Sequence, residues 1–274
     1  MRPFKLDRLT VADLLACKGK RQLTQVLVKS VEEAAAAEAA GIEMVNLAAD
    51  ALTKEYREVM PRAFVTVGLE YGMHVTAEDY IRSAFAAMRV GADAVYCAAS
   101  VAIIARMYAE GIPVCSHAGL IPSRCTWTGG YKAVGRNAES ALNVWNRVRQ
   151  LEEAGAFAVE MEVVPDRIAG EISKRTRMLV ISMGGGAYCD GQYLFAEDIL
   201  GTNTGHYPRH SKRYRDFAAE YRRLQQERIA AFGEFRRDVE TGSYPAPEHS
   251  VRVDDGELAK FLRDLPPLDE APKH

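Results

Sequence analysis

No run of about 20 uninterrupted apolar residues occurs anywhere in the 274 residues, so no transmembrane helix is expected. The first ten residues, Met1 to Thr10, mix charges throughout and lack the apolar stretch of a signal peptide. Cysteine is sparse and unpaired in pattern. Cys17, Cys97, Cys115, Cys125 and Cys189 are odd in number, and no two have the Cys-x-x-Cys spacing of a zinc or redox site. Five reduced thiols in a cytoplasmic protein are expected, with Cys97 and Cys115 as small core residues inside apolar runs. Charge of one sign is also missing. A formal net charge of −2 gives no electrostatic reason to expect nucleic acid or an anionic membrane as partner.

What is present is the material of one large folded unit: 48% hydrophobic and 26% charged residues. Apolar runs alternate with amphipathic segments. Strands are expected at Leu23–Lys29, Ile42–Ala49, Ala63–Gly68, Asp93–Ala98, Ile112–His117, Phe157–Val163 and Met178–Met183, with a weaker eighth at Tyr193–Phe195. Helices are expected over Val31–Ala40, Thr76–Val90, Val101–Glu110, Asn137–Ala154, from Pro165 onward, and over Ser211–Glu240. Glycines 41, 91 and 111 stop three of them. The 50–62 segment has room only for a short helix.

Eight β-α units without a break in composition point to an α/β protein of the (β/α)8 TIM barrel class, ahead of a doubly wound open sheet. The barrel with its C-terminal helix is assigned to 1–251. Residues 252–274 are polar, contain Pro266, Pro267 and Pro272, and are read as a tail. In such a barrel the chemistry sits where strands end and βα loops begin. That rule selects Asp50, Gly68, Glu70, Ala98 to Ser100, His117, Glu162 and Gly184 to Gly186. Carboxylates and an imidazole converging on one face suggest an acid/base site.

Short motifs then run in register along the second half. They are His117-Ala118-Gly119-Leu120-Ile121-Pro122, Gly129-Gly130-Tyr131-Lys132-Ala133-Val134-Gly135-Arg136, Glu162-Val163-Val164-Pro165, Gly184-Gly185-Gly186 with Asp190-Gly191-Gln192, and Gly242-Ser243-Tyr244-Pro245. In this order and spacing the chain resembles the ketopantoate hydroxymethyltransferase family, barrels of the phosphoenolpyruvate mutase and isocitrate lyase type. The resemblance implies transfer of a hydroxymethyl group from 5,10-methylenetetrahydrofolate to 3-methyl-2-oxobutanoate or a related 2-oxo acid, with Mg2+ on the keto acid. It also implies a place in pantothenate biosynthesis and a dimer-based homo-oligomer, up to a decamer.

Carried over position by position, the resemblance makes Glu162 the catalytic carboxylate. His117 becomes a substrate-binding residue, alternatively one that orients its own loop through backbone carbonyls. Asp50, Ala51, Gly68 and Tyr96 fall on the family's substrate-binding positions, and Asp50 and Glu70 are the candidate metal ligands. Glu160 should share the side of the strand that bears Glu162 but lie deeper.

The first half departs from the family. Ala51 stands in place of a serine, Gly68 in place of a ligand aspartate, and Tyr96-Cys97-Ala98 in place of Lys-x-Glu. Three functions stay open. One is a hydroxymethyltransferase-like enzyme. Another is a metal-poor C–C lyase, aldolase or isomerase working on another carbonyl compound through Glu162. The last is a non-catalytic barrel.

Overall fold

The computed structural model describes residues 8–48, 51–69 and 72–266. The eight apolar runs become eight strands: β1 (Leu23–Leu27), β2 (Met44–Ala48), β3 (Phe64–Gly68), β4 (Ala94–Tyr96), β5 (Val114–Gly119), β6 (Ala158–Glu162), β7 (Leu179–Met183) and β8 (Gly191–Phe195). All neighbours pair in parallel, and β8 pairs with β1 to close the barrel. The weakest strand in the sequence, β8, is therefore the one that seals it.

The helices between them begin and end as local chemistry requires. Ser30, Thr76, Ser100 and Asn137 each accept a hydrogen bond from a backbone N–H three residues on. The segment after β2 holds only the short helix Lys54–Val59. A helix the sequence reading omits, Val11–Leu15, sends the buried Leu14 into the cluster that fills the barrel interior.

Two separate hydrophobic clusters follow from the two-residue period of a strand. Outward residues such as Val26, Val45, Val65, Val95 and Val159 pack with helix residues Ala34, Ala84, Ile104 and Val148. Inward residues change character along each strand. The first inward positions are apolar: Leu23, Met44, Phe64, Ala94, Cys115, Ala158 and Leu179. The next ones are mostly polar: Gln25, Asn46, Thr66, Tyr96, His117, Glu160 and Tyr193, all but Tyr96 fully buried. The stability of the barrel thus comes from its N-terminal end and outer wall, and polarity is reserved for the C-terminal end.

The chain divides into two compact units, one ending at Phe217 and the other starting at Ala218. The second unit contains most of the helix Phe217–Thr241 and a helix Asp255–Asp264 inside the segment read as a tail. Asp254 caps that helix, accepting from Gly256 N and Glu257 N. Among the described residues no helix is long and apolar enough to cross a membrane.

All five cysteines are free thiols, and Cys97 and Cys115 are buried as expected. Burial pushes the Cys97 thiol up to about 11 and the Cys115 thiol well above its ordinary value, so neither is a ready nucleophile.

Candidate active site at the C-terminal end of the barrel

A cavity of about 390 Å3 opens at the C-terminal strand ends. Its walls include Leu27, Leu69, Ile121, Met183 and Phe195, and its polar side is formed by Asn46, Tyr96, His117, Glu160, Glu162 and Tyr193. Six residues selected from the sequence, Gly68, Tyr96, Ala98, Ala99, His117 and Glu162, line this one cavity. Ala51 is not among its lining residues, although its N–H bonds to the carbonyl of Ala48, which is. The metal candidates Asp50 and Glu70 lie outside the described residues.

The register of β5 on β6 explains why the charged groups meet. His117 is paired with Glu160, and Gly119 with Glu162. A parallel ladder sets such partners about 4.8 Å apart, so one imidazole can reach both carboxylates. His117 Nδ1 is 3.7 Å from Glu160 Oε2, and its Nε2 is 3.1 Å from Glu162 Oε2. Gly119 is required at its place. Its φ is +88°, and a Cβ there would fall 2.3 Å from the Glu162 carbonyl oxygen.

His117 is fully buried and has hydrogen bonds at both ring nitrogens. Nε2 lies 2.7 Å from the Leu120 carbonyl, which can only accept, so Nε2 carries a hydrogen. Nδ1 lies 2.7 Å from the Tyr96 hydroxyl. Burial alone would lower the affinity of this imidazole for a proton. The carboxylates of Glu160 and Glu162 outweigh burial and raise its pKa to about 9. The ring is then an imidazolium near neutral pH, donating through Nδ1 to the Tyr96 oxygen. His117 holds its own loop through Leu120, one of the two readings made from the sequence, and it lines the cavity.

Glu160 does lie deeper. Its Oε1 accepts from Gln25 Nε2 and Asn46 Nδ2, each at 3.0 Å. Asn46 also donates to the Tyr193 hydroxyl at 3.2 Å. Burial, and next the charge of Glu160, hold the Tyr96 and Tyr193 hydroxyls well above their ordinary pKa, so both stay neutral. Glu162 differs from Glu160. Its Oε2 is buried and receives no hydrogen bond. The 3.1 Å approach of His117 Nε2 is a contact of charges, because that hydrogen is directed at Leu120.

Gln25, Asn46 and Tyr193 were not among the residues selected from the sequence. The signal available was the alternation inside each strand: Leu-Gln-Leu and Met-Asn-Ala on the inward positions of β1 and β2 put an amide where an apolar residue is expected.

Mg2+ requires near-octahedral oxygen ligation with carboxylate charge. Among the described residues the cavity has two carboxylates, Glu162 with a buried oxygen that accepts no hydrogen bond and Glu160 with Oε1 held by two amides, while Gly68 and Ala98 offer no side-chain donor. No group of three His, Cys, Asp or Glu that could hold a metal exists among them. The described residues by themselves do not fit a Mg2+ centre.

The sequence profile of the ketopantoate hydroxymethyltransferase family matches residues 50–247. A 3-methyl-2-oxobutanoate hydroxymethyltransferase from Kosmotoga olearia is 32% identical over 266 residues, covering 88% of this chain and 97% of its own length. The enzyme of the same name from Pyrococcus furiosus is 29% identical, covering 94% of this chain and 97% of its own. In three dimensions the chain is similar to 2,3-dimethylmalate lyase, a member of the PEP mutase/isocitrate lyase superfamily. The TM-score is 0.51 at 13% identity, over 93% of this chain and 99% of that one, a likeness of fold.

Proposed function

Because this chain belongs to the ketopantoate hydroxymethyltransferase family, we propose that it forms an enolate from a small branched 2-oxo acid, 3-methyl-2-oxobutanoate or a relative, and joins it to a one-carbon unit from 5,10-methylenetetrahydrofolate. The observation that carries this reading is the Glu162 carboxylate. One of its oxygens is buried without a hydrogen donor at the edge of an apolar-walled cavity, beside a buried imidazole.

Glu162 takes the proton from the carbon next to the 2-oxo group. A carboxylate with a free lone pair is suited to that step, and positioned general bases contribute about 100- to 10,000-fold. The apolar walls hold the alkyl branch of the substrate. Negative charge that develops on the 2-oxo oxygen is offset by the His117 imidazolium, which Tyr96 and Leu120 hold in orientation. Water adds to the methylene bridge of the donor and its two carbon–nitrogen bonds break, releasing tetrahydrofolate, and the nucleophilic carbon attacks the resulting formaldehyde-level carbon, whose oxygen takes up a proton to become the hydroxyl. No step above depends on a metal ion.

Gly68, Tyr96 and Ala98 favour a second reading. Their places at the cavity carry no carboxylate and no lysine. The same enolate chemistry could then serve a metal-poor lyase or aldolase for another carbonyl compound. Homo-oligomeric assembly and a cytoplasmic location complete the leading proposal.

One experiment addresses both. The protein is incubated with 3-methyl-2-oxobutanoate in D2O and proton exchange at C3 is followed by NMR, with and without 5,10-methylenetetrahydrofolate. Glu162-dependent exchange with a folate-dependent product supports the leading reading. Exchange without that product favours the second, and no exchange defeats the leading one.

A further inference from the structure

A second cavity also reaches Glu162. It measures about 660 Å3 and is lined by Lys132, Arg136, His206, Arg209 and His210. Glu162 is common to this cavity and the reaction cavity. A third, of about 470 Å3, continues it. The two share Arg136, Arg209 and Gly184, and the third adds Gly186 and the start of the helix Asp166–Arg175. The acidic residues on the whole track are Glu162 and Asp166.

Folding does not account for these cations. Elsewhere in the barrel unit, Arg57, Arg62, Arg106 and Arg177 each meet a carboxylate. Among the described residues no hydrogen bond or ion pair ties Lys132, Arg136 or Arg209 to an acid. His210 is half-buried, and burial lowers its proton affinity against the pull of Glu162 and Asp198. It therefore serves as a neutral donor or acceptor there.

The backbone ties this cleft to the reacting carboxylate. Val163, directly after Glu162, has φ +49°, a left-handed conformation that β-branched residues rarely adopt. Its N–H donates to the Met183 carbonyl at 2.9 Å, and its carbonyl accepts from Val134 N at 3.1 Å. The loop that carries Lys132 and Arg136 is therefore pinned to the residue beside Glu162. Backbone strain of this kind persists where surrounding contacts enforce it.

We propose that this cationic cleft is an anion-binding site for the charged tail of the second substrate, placing the reactive end of that substrate at Glu162. The ligand chemistry is a group with several anionic oxygens, either linked carboxylates or a phosphate, which arginine forks match in pairs. The assignment rests on the two-substrate reading above. Under that reading the tail is the glutamyl chain of the folate donor.

The test is calorimetric titration of the full-length protein with inorganic pyrophosphate, and separately with tetrahydrofolate bearing one or three γ-linked glutamates. It is repeated on the Arg136→Gln/Arg209→Gln double variant, on Lys132→Gln, and on Arg149→Gln as a control for net charge, since Arg149 pairs with Glu153 away from the cleft. The triglutamate should bind more tightly than the monoglutamate. The double variant should weaken it at least about tenfold, since each charge-assisted contact is substantial. Arg149→Gln should leave affinity unchanged. If the double variant fails to fold by thermal melting, Lys132→Gln carries the comparison. If pyrophosphate binds and is lost with the arginines while neither folate binds, the cleft stands and the folate donor is wrong. If no probe binds, or if the cleft variants bind as the control does, the proposal is overturned.

Discussion

His117 Nε2 stands 3.1 Å from Glu162 Oε2, yet its hydrogen goes to the Leu120 carbonyl. The two residues meet charge to charge with no hydrogen bond between them. The cation holds the carboxylate in place, and the lone pairs of Oε2 stay available to a substrate. A hydrogen bond along the same line would occupy the oxygen that is proposed to accept the proton.

Glu162→Gln should therefore remove turnover by about 100- to 10,000-fold, with the fold retained. The glutamine keeps the shape and loses the base. The C3 deuterium exchange rate of 3-methyl-2-oxobutanoate measures the loss. Exchange within twofold of the unaltered protein would show that Glu162 is not the base.

The pH dependence of stability follows from His117. Its proton is held to about 9 in the folded chain, against an ordinary 6.5. The folded state thus binds this proton more tightly than the unfolded chain does. The contribution is fully present below about 6.5 and is lost as pH rises through about 9, on the order of 3 kcal/mol in all. Melting curves between pH 6 and 10 should show this alkaline decline, and His117→Asn should flatten it. An equal slope in both proteins would place the titration elsewhere.

Two substitutions around Glu162 should act in opposite ways. Gly119→Ala sets a Cβ against the Glu162 carbonyl at a left-handed φ and should cost at least about 2 kcal/mol. Val163→Gly relieves about 1–2 kcal/mol of left-handed strain, roughly offset by the lost side chain and the freer unfolded chain. Its stability should be near that of the unaltered protein while turnover falls, because the turn no longer fixes Glu162. Chemical denaturation with parallel activity assays checks both. A Val163→Gly protein with full activity would show that the strain has no part in placing the base.

Metal binding by the protein alone should be weak. With two carboxylates among the described residues of the cavity, one of them held by two amides, Mg2+ should bind at about millimolar affinity or weaker without keto acid. Calorimetry with Mg2+ on the unaltered protein, Asp50→Ala and Glu70→Ala measures this. Micromolar binding lost in either variant would show a centre completed by those two residues.

The barrel was legible in the sequence because most strands are short apolar runs and several helices carry a start or stop signal. β8 was the faintest, since Gly191 and Gln192 open it and only Tyr193–Phe195 read as strand. The helix Asp255–Asp264 is hard to read from sequence because its segment is polar and proline-rich, though Asp254 is an N-cap. Glu162, His117, Tyr96 and Gly68 were reached through strand ends and family motifs. The amides of Gln25 and Asn46 were not, because no local motif marks a residue whose role is set by a glutamate more than a hundred positions away. Arg209 and His210 belong to a stretch with no periodicity, so only the folded chain brings them to Lys132 and Arg136.

The change along each strand, from apolar at the first inward position to polar at the next, has a consequence for how such a barrel can change over time. Phe64 and Gly68 sit on one strand, and so do Ala94 and Tyr96, but the first of each pair belongs to the packed floor and the second to the reaction cavity. Substitutions at the rim can accumulate without disturbing the floor. An aspartate can become Gly68, or a lysine Tyr96, while the barrel remains closed. Chemistry can therefore drift along one end of the molecule while the other end keeps it folded, which leaves this scaffold free to acquire new substrates by single steps.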